Sequence, residues 1–496
     1  MDAGAVIKKW EHKPDGAIDY SQCEKEPITQ PGAIQSYGGL IAVQAGKVIA
    51  HSKNIHLFLS VGSNPILQQK LSELSPGLNQ RLQSVSAQLT SEKTYFQTLD
   101  PWIVGFRKVG NDLFYIEFFP QPSHPLDVQG LEEEIEQIAR KFHFPAKNRS
   151  QFLSDVCQIF QKYLGFDQVF TQVLQEEETI EIVAEANNGK IEPVLGLHFS
   201  SKEIPSQARA LYLKQLIRFK QAAQSTAVDI VSDTSSGVDL THSLLREPSK
   251  FMTVYMQNIS ASTLLSCSIV MDHKLSALLT MHHADPMNLD PRSFEPIVTA
   301  VNRVALELLR IDDLIKKNAD SKLWELLNQA FPLDRLGAVE KLIHAPQLEK
   351  FIAHCGAVIT KDGKILSSRG QCPEPKALEN LLLETSKIAD VINYSSKMTE
   401  DFRLEAAVLG EFAGVMVIRF EGTSLLLFRK AFHTEILWRN ASPVGLEKDT
   451  NLPRFSPAGS FQFFVQEFEN RSRPWSEKDI AFARVVANWM SEDFES

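Results

Sequence analysis

Short apolar runs broken by turn residues alternate along the chain with longer stretches of helical spacing. Leu40–Val43 and Lys47–Ala50 are joined through Ala45-Gly46, which predicts a hairpin. Trp102–Val109 and Leu113–Phe119 repeat the pattern around Gly110-Asn111-Asp112. Leu264–Met271 and Lys274–Met281 flank Asp272-His273 and are rich in β-branched or long apolar residues. Ala357–Ile359 and Lys364–Leu366 flank Lys361-Asp362-Gly363, and Val415–Phe420 and Leu425–Arg429 flank Glu421-Gly422-Thr423. Between the hairpins, Leu131–Phe142 predicts a charged helix, whereas the polar, Ser- and Asp-rich Ser225–Leu240 predicts a surface loop.

The strongest helical pattern is Ile297, Val301, Val304, Leu308, Ile311 and Ile315, stepping by four and three alternately as a heptad seam. Such a seam fits a core-facing helix or a parallel dimer interface, and three heptads without an intervening cap favour the dimer. A last helix carries Ile480, Ala483, Val486 and Met490 on one face and opens on Ser476-Glu477-Lys478-Asp479, a capping-box variant. The sequence stops at Ser496 as a chain cut within a longer helix does.

At 496 residues the chain is too long for one core. The clearest boundary is Phe119-Pro120-Gln121-Pro122-Ser123-His124-Pro125. A hydrophobic share of 43% and a charged share of 23% describe an ordinary globular protein, and the net charge of -10 argues against broad nucleic-acid binding. Met1–Trp10 lacks an apolar signal core and no run is long enough to span a bilayer, so no membrane association is expected. The cysteines, Cys23, Cys157, Cys267, Cys355 and Cys372, are odd in number and show no CxxC spacing. They fit a reducing cytoplasm and exclude a common zinc framework. The chain has no phosphate loop, no glycine-rich dinucleotide motif and no nucleophile–base–acid pattern, which disfavours an enzyme.

Cys23 is a lone thiol in a segment broken by Pro27, Pro31, Gly32 and Gly38, with no metal partner or disulfide mate nearby. It is either an ordinary free thiol or a covalent attachment point. Four motifs in order decide the context: Cys23 with Pro31-Gly32-Ala33-Ile34-Gln35, the stretch Ile204–Tyr212, Met281-His282-His283, and Arg471-Ser472-Arg473-Pro474-Trp475. With three α/β sensor-like regions and a helical seam, the chain resembles the photosensory module of bacterial phytochromes over nearly its whole length. The resemblance implies an α+β fold of three domains with antiparallel sheets. These are a PAS domain with the attachment segment (23–125) after an N-terminal extension (1–22), a GAF bilin-binding domain (126–316), and a PHY domain (317–496) with a hairpin tongue at about 432–475. It also implies a figure-of-eight knot, in which Ile34 and its neighbours thread a loop built from the Ser225–Leu240 region, and a dimer spine made by helix 297–317 and the last helix.

The cofactor implied is the linear tetrapyrrole biliverdin IXα. Cys23 matches the attaching thiol. Arg218 and Arg246 match the cations that hold the two propionates, because a planar guanidinium binds a carboxylate bidentately. Tyr212, Ser249 and Ser266 match neutral donors, His282 the donor to the outer-ring carbonyl, and Phe199 and Tyr255 the packing around that ring. Ile204 and Pro205 follow Glu203, which stands where the family has aspartate. Met252 stands where the family has the histidine that holds the pyrrole water, and methionine offers only a weak acceptor and no titratable proton. Gln172 replaces a tyrosine near the outer ring. In the tongue, Pro457-Ala458-Gly459-Ser460-Phe461 places Ala458 where the family has arginine, with Arg454 just upstream, and the tryptophan-glycine element reads Trp438-Arg439-Asn440. The thiol and the propionate clamp are thus present while the partners of the protonated pyrroles are altered, so weakened or atypical photochemistry is expected. The expected function is a light-sensing module of a homodimer that hands its signal to a downstream output domain or a response regulator. The alternative is a pigment-free relative that keeps the scaffold.

Overall fold

The structure, a computed structural model, describes residues 26–60, 65–90, 93–110, 112–123, 126–141, 149–174, 179–200, 204–233, 237–330, 335–345, 348–387, 390–402, 404, 409–420, 422–431, 434–439, 463–468 and 471–491. The chain divides into two compact units, Met1–Leu309 with Leu437–Phe464, and Arg310–Ile436 with Val465–Ser496. Helices and antiparallel sheets are mixed in both, which is the α+β architecture the sequence predicts.

The predicted hairpins form. Gly39–Gln44 pairs with Lys47–Ser52, Thr263–Met271 with Lys274–His283, and Gly356–Lys361 with Lys364–Gly370. All three close through two residues at positive φ: Ala45 and Gly46 (48° and 78°), Asp272 and His273 (48° and 62°), Asp362 and Gly363 (48° and 76°). That left-handed pair matches the twist of the flanking strands, and glycine enters it without steric cost.

The first sheet is buried on both faces. Ile41, Val43, Val104, Phe106, Ile116 and Phe118 pack with Leu71, Leu78 and Leu82 on one side. Leu40, Ala42, Ile103, Tyr115 and Phe119 pack with Ile34, Leu240 and Leu245 on the other. Double burial is why these strands read as continuous apolar runs rather than as an alternation.

The cover on the second face corrects one expectation. Ser225–Leu240 is not simply a surface loop: Val228–Ser232 is a strand that pairs with both Lys47–Ser52 and Ala33–Ile34. Val228 and Ile230 pack on the buried cluster around Ile34. The hydrogen bonds to these two distant segments, which no local pattern announces, distinguish the strand from a loop. Gly32–Gln35 is held on one side by Ile230 N–H donating to the Gly32 carbonyl (2.8 Å). On the other side, Gln35 N–H donates to Leu245 (2.8 Å) and Glu247 N–H to Ala33 (3.3 Å). The segment is therefore clasped between residues 228–230 and 245–247, as the expected threading requires.

The second sheet contains Ile217–Lys220, Thr263–Met271, Lys274–His283, Gln168–Leu174, Thr179–Asn187 and His198–Ser200 in that order, and Trp438 pairs in parallel with His198. One face carries the helix Arg149–Leu164, whose Cys157 Sγ lies 3.4 Å from Thr171 Oγ1. The start of the long helix Phe294–Ala330 packs there too, with Phe294 5.5 Å from Phe219 ring to ring.

The heptad seam is a second correction. Ile297, Val301, Val304 and Leu308 are 0–1% exposed, and Ile311 is 5% exposed, within the single chain. These positions face their own chain and are not open to a partner helix. A heptad repeat records one buried stripe and does not say whose atoms bury it.

In the second unit, the five-stranded sheet is covered on both faces by helices, including Pro375–Ser386 and Glu477–Ser491. The predicted capping box is present: Ser476 N–H donates to Asp479 Oδ2 (2.8 Å) and Asp479 N–H to Ser476 Oγ (3.3 Å). The same Oδ2 pairs with Arg429 at 3.0 Å, and the Arg429 guanidinium stacks on Trp475 at 3.7 Å. The Arg471–Trp475 motif thus anchors the last helix.

Candidate functional site

The face of the second sheet opposite the helix Arg149–Leu164 carries an unusual run of polar side chains. Register places Arg218 beside Ser266, Ser266 beside Thr280, and Thr280 beside Phe170, all on one face. One row along, Leu264, His282 and Gln168 are aligned in the same way. Most of these are buried, so each polar atom needs a partner. Arg218 donates to Ser268 Oγ (2.8 Å), Ser266 Oγ (3.0 Å) and the Gln215 carbonyl (3.1 Å). Ser266 Oγ lies 3.2 Å from Thr280 Oγ1, which accepts from Gln172 Nε2 at 3.1 Å.

Two guanidinium groups meet at one end. Arg218 sits in a strand with its guanidinium 3.8 Å from the centre of the Tyr212 ring, which the helix Ser206–Lys214 supplies. Arg246 leaves the segment that clasps Ile34 and donates to the Ile28 carbonyl at 2.9 Å. Burial lowers the pKa of both, and the Arg218 charge lowers that of Arg246 further. Among the described residues neither has a carboxylate within ion-pair distance, and the buried Nε of Arg246 has no hydrogen-bond partner. Two like charges with an orphaned donor are a site for anionic oxygens.

An aromatic cluster marks the other end. The His282 ring lies 5.2 Å from Phe170, edge to face, and 6.0 Å from Tyr255. Tyr255 and Met252 share the helix Lys250–Asn258 and pack on Ala223, Met256 and Leu264. Ser249, just before this helix, hydrogen-bonds Glu26. Ile204 packs on Phe170, Ile180 and Ile182, and Pro205 precedes the helix bearing Tyr212.

Tyr212, Arg218, Arg246, Met252, Tyr255, Ser266 and His282, spread over 71 positions of sequence (212 to 282), thus belong to one sheet face and the segments around it. Phe199 is placed by backbone only, paired with Ile180. Cys23, Glu203, Arg454 and Ala458 lie outside the described residues. Ser268, Thr280, Gln168 and Phe170 were not foreseen. For Ser268 and Thr280 the signal was a polar residue at every second position of otherwise apolar strands, Ser266-Cys267-Ser268 and Thr280-Met281-His282. Among the described residues no group of His, Cys, Asp and Glu could hold a metal ion, and no helix is long and apolar enough to cross a membrane.

Comparison with known proteins agrees with this architecture. Residues 23–119 match the family model described as PAS fold, and residues 324–495 that described as Phytochrome region. The chain is similar to a bacteriophytochrome of Pseudomonas aeruginosa, at 26% identity over 95% of this chain and 66% of the relative. It is also similar to a bacteriophytochrome of Xanthomonas campestris pv. campestris (25%, 95% and 78%) and to cyanobacterial phytochrome B of a Nostoc species (24%, 93% and 64%). The chain spans about two thirds of the length of the first of these relatives. A crystal structure of a bacteriophytochrome from the photosynthetic bacterium R. palustris superposes with a TM-score of 0.78, covering 95% of this chain and 98% of that one, at 18% identity.

Proposed function

Because this chain is a phytochrome photosensory module, we propose that it binds biliverdin IXα along the face of the second sheet that carries Arg218 and His282 and senses light for a dimeric signalling protein. Residues 126–316 are the GAF domain in this reading, between a PAS domain at 23–125 and a PHY domain at 317–496. The observation that carries it is the pair of buried guanidinium groups, Arg218 and Arg246, with no carboxylate partner among the described residues. They fit the two propionates. Tyr255, Phe170 and His282 would enclose the outer ring, and Cys23 would supply the thioether. A bound bilin supplies light absorption and double-bond isomerisation. The protein's own residues neutralise the carboxylates, exclude water and hold the rings.

Met252 packs on Ala223, Met256 and Leu264 and gives the pyrrole nitrogens no strong acceptor. A cationic ligand loses its proton more readily there, which gives a weakened or shifted far-red band. The module acts in the cytoplasm as a homodimer and passes its signal to an output domain or a response regulator.

Co-expression with a haem oxygenase, absorbance under red and far-red light, and zinc-induced fluorescence on a denaturing gel test this. A covalently coloured protein with incomplete photoconversion supports the reading. Full-strength, ordinary switching refutes the atypical photochemistry, and a colourless protein refutes bilin binding in favour of a pigment-free scaffold.

A further inference from the structure

His282 is 1% exposed, and its Nδ1 lies 2.9 Å from Gln168 Oε1. Which amide atom faces the ring is settled from the far side of Gln168. Its Nε2 donates one hydrogen to Glu185 Oε1 and the other to the Glu192 carbonyl, both at 2.8 Å. Glu185 also accepts from Asn187 Nδ2 on Oε1 (2.9 Å), and from the N–H groups of Val194 and Leu195 on Oε2 (2.9 and 2.8 Å). Apart from Gln168 itself, three N–H donors converge on that carboxylate, so it acts as an acceptor. Flipping the Gln168 amide would aim its oxygen at a carboxylate and a carbonyl and lose two hydrogen bonds inside a fully buried residue. Oε1 therefore faces His282, where it can only accept, and Nδ1 must carry a proton. In a neutral imidazole this leaves the lone pair on Nε2.

We propose that Gln168 is a positioning residue that fixes the tautomer of His282, so that the aromatic end of the site presents an acceptor. It then selects a ligand group that donates, such as a pyrrole N–H or a hydroxyl, and takes a carbonyl only against an imidazolium. This reverses the donor role expected for His282. The identity of the ligand rests on the bilin reading, whereas the tautomer does not.

The test is nitrogen-15 NMR of histidine-labelled full-length protein without ligand, in mildly alkaline buffer, with the His282 signals assigned by their loss in His282→Gln. The expected result is a protonated Nδ1 and an unprotonated Nε2, with averaging toward the other tautomer in Gln168→Leu. Adding biliverdin should move the Nε2 signal part-way toward the protonated position as it accepts a hydrogen bond. A protonated Nε2 in the ligand-free wild-type protein overturns the proposal, as does an unchanged tautomer in a folded Gln168→Leu. Because the ligand-free spectrum stands on its own, a protein that keeps the expected tautomer but takes up no biliverdin supports the fixed tautomer and removes only the bilin reading.

Discussion

Lys220 and Glu247 give the sharpest test of how the clasped segment is held. The Lys220 ammonium lies 2.7 Å from Glu247 Oε1 and 3.3 Å from Ser225 Oγ; its side chain is 0% exposed, and that of Glu247 14%. Glu247 also closes the clasp, donating its N–H to Ala33, and it neighbours Arg246. Removing one partner of a buried ion pair costs about 3–5 kcal/mol, because the other charge stays uncompensated, while replacing both with apolar groups is near neutral. The charged ends of both residues are buried, so the two single losses should be alike. Glu247→Leu strands a fully buried ammonium and should cost the full ~3–5 kcal/mol. Lys220→Met leaves a carboxylate whose Oε2 is itself buried without a hydrogen-bond partner among the described residues, and should cost about as much, ~3–5 kcal/mol. The double variant should recover most of the loss. The assay is native-state amide exchange at Gln35, Gln221 and Glu247, whose N–H groups donate to Leu245, to Gln35 Oε1 and to Ala33. At about 1.4 kcal/mol per tenfold, Glu247→Leu should lower their protection more than a hundredfold. A Lys220→Met variant as protected as the wild type, or a double variant as unprotected as Glu247→Leu, would refute the account.

Three further outcomes are expected. Arg246→Ala and Arg218→Ala should each weaken biliverdin uptake by ~1.5–3 kcal/mol, about ten- to a hundredfold, measured by absorbance titration; an undiminished affinity in both would remove the propionate clamp. Asp479→Ala removes the capping box and strands Arg429, which is 9% exposed, so the second unit should lose about 3–5 kcal/mol, read from Trp475 fluorescence during urea unfolding. Burial raises the Glu117 pKa above the usual carboxylate value despite hydrogen bonds from Ser243 and Leu245 and the charge of Arg107. The folded state thus holds this proton longer than the unfolded chain, and stability falls as pH rises from the ordinary carboxylate range toward the raised pKa. Glu117→Gln should flatten that fall in melting temperature, and an unchanged pH profile would count against it.

What the sequence determined was local. Two-residue turns at Ala45-Gly46, Asp272-His273 and Asp362-Gly363 announce their hairpins because φ preferences act over neighbours, and Ser476 with Asp479 announces its cap for the same reason. The family motifs likewise pointed to residues that share one sheet face. Tertiary structure decided what those signals leave open. The stripe from Ile297 to Ile311 favoured a partner helix on pattern alone, and only packing showed that the chain itself covers it. Val228–Ser232 became a strand because Ala33–Ile34 and Lys47–Ser52 supplied its hydrogen bonds from almost two hundred residues away. The tautomer of His282 depends on Gln168, and through it on Glu185 and Glu192, three partners that no spacing rule links. Pattern along a chain records which groups seek burial or a partner; which group answers is set by contacts between distant segments, and these exist only once the chain has folded.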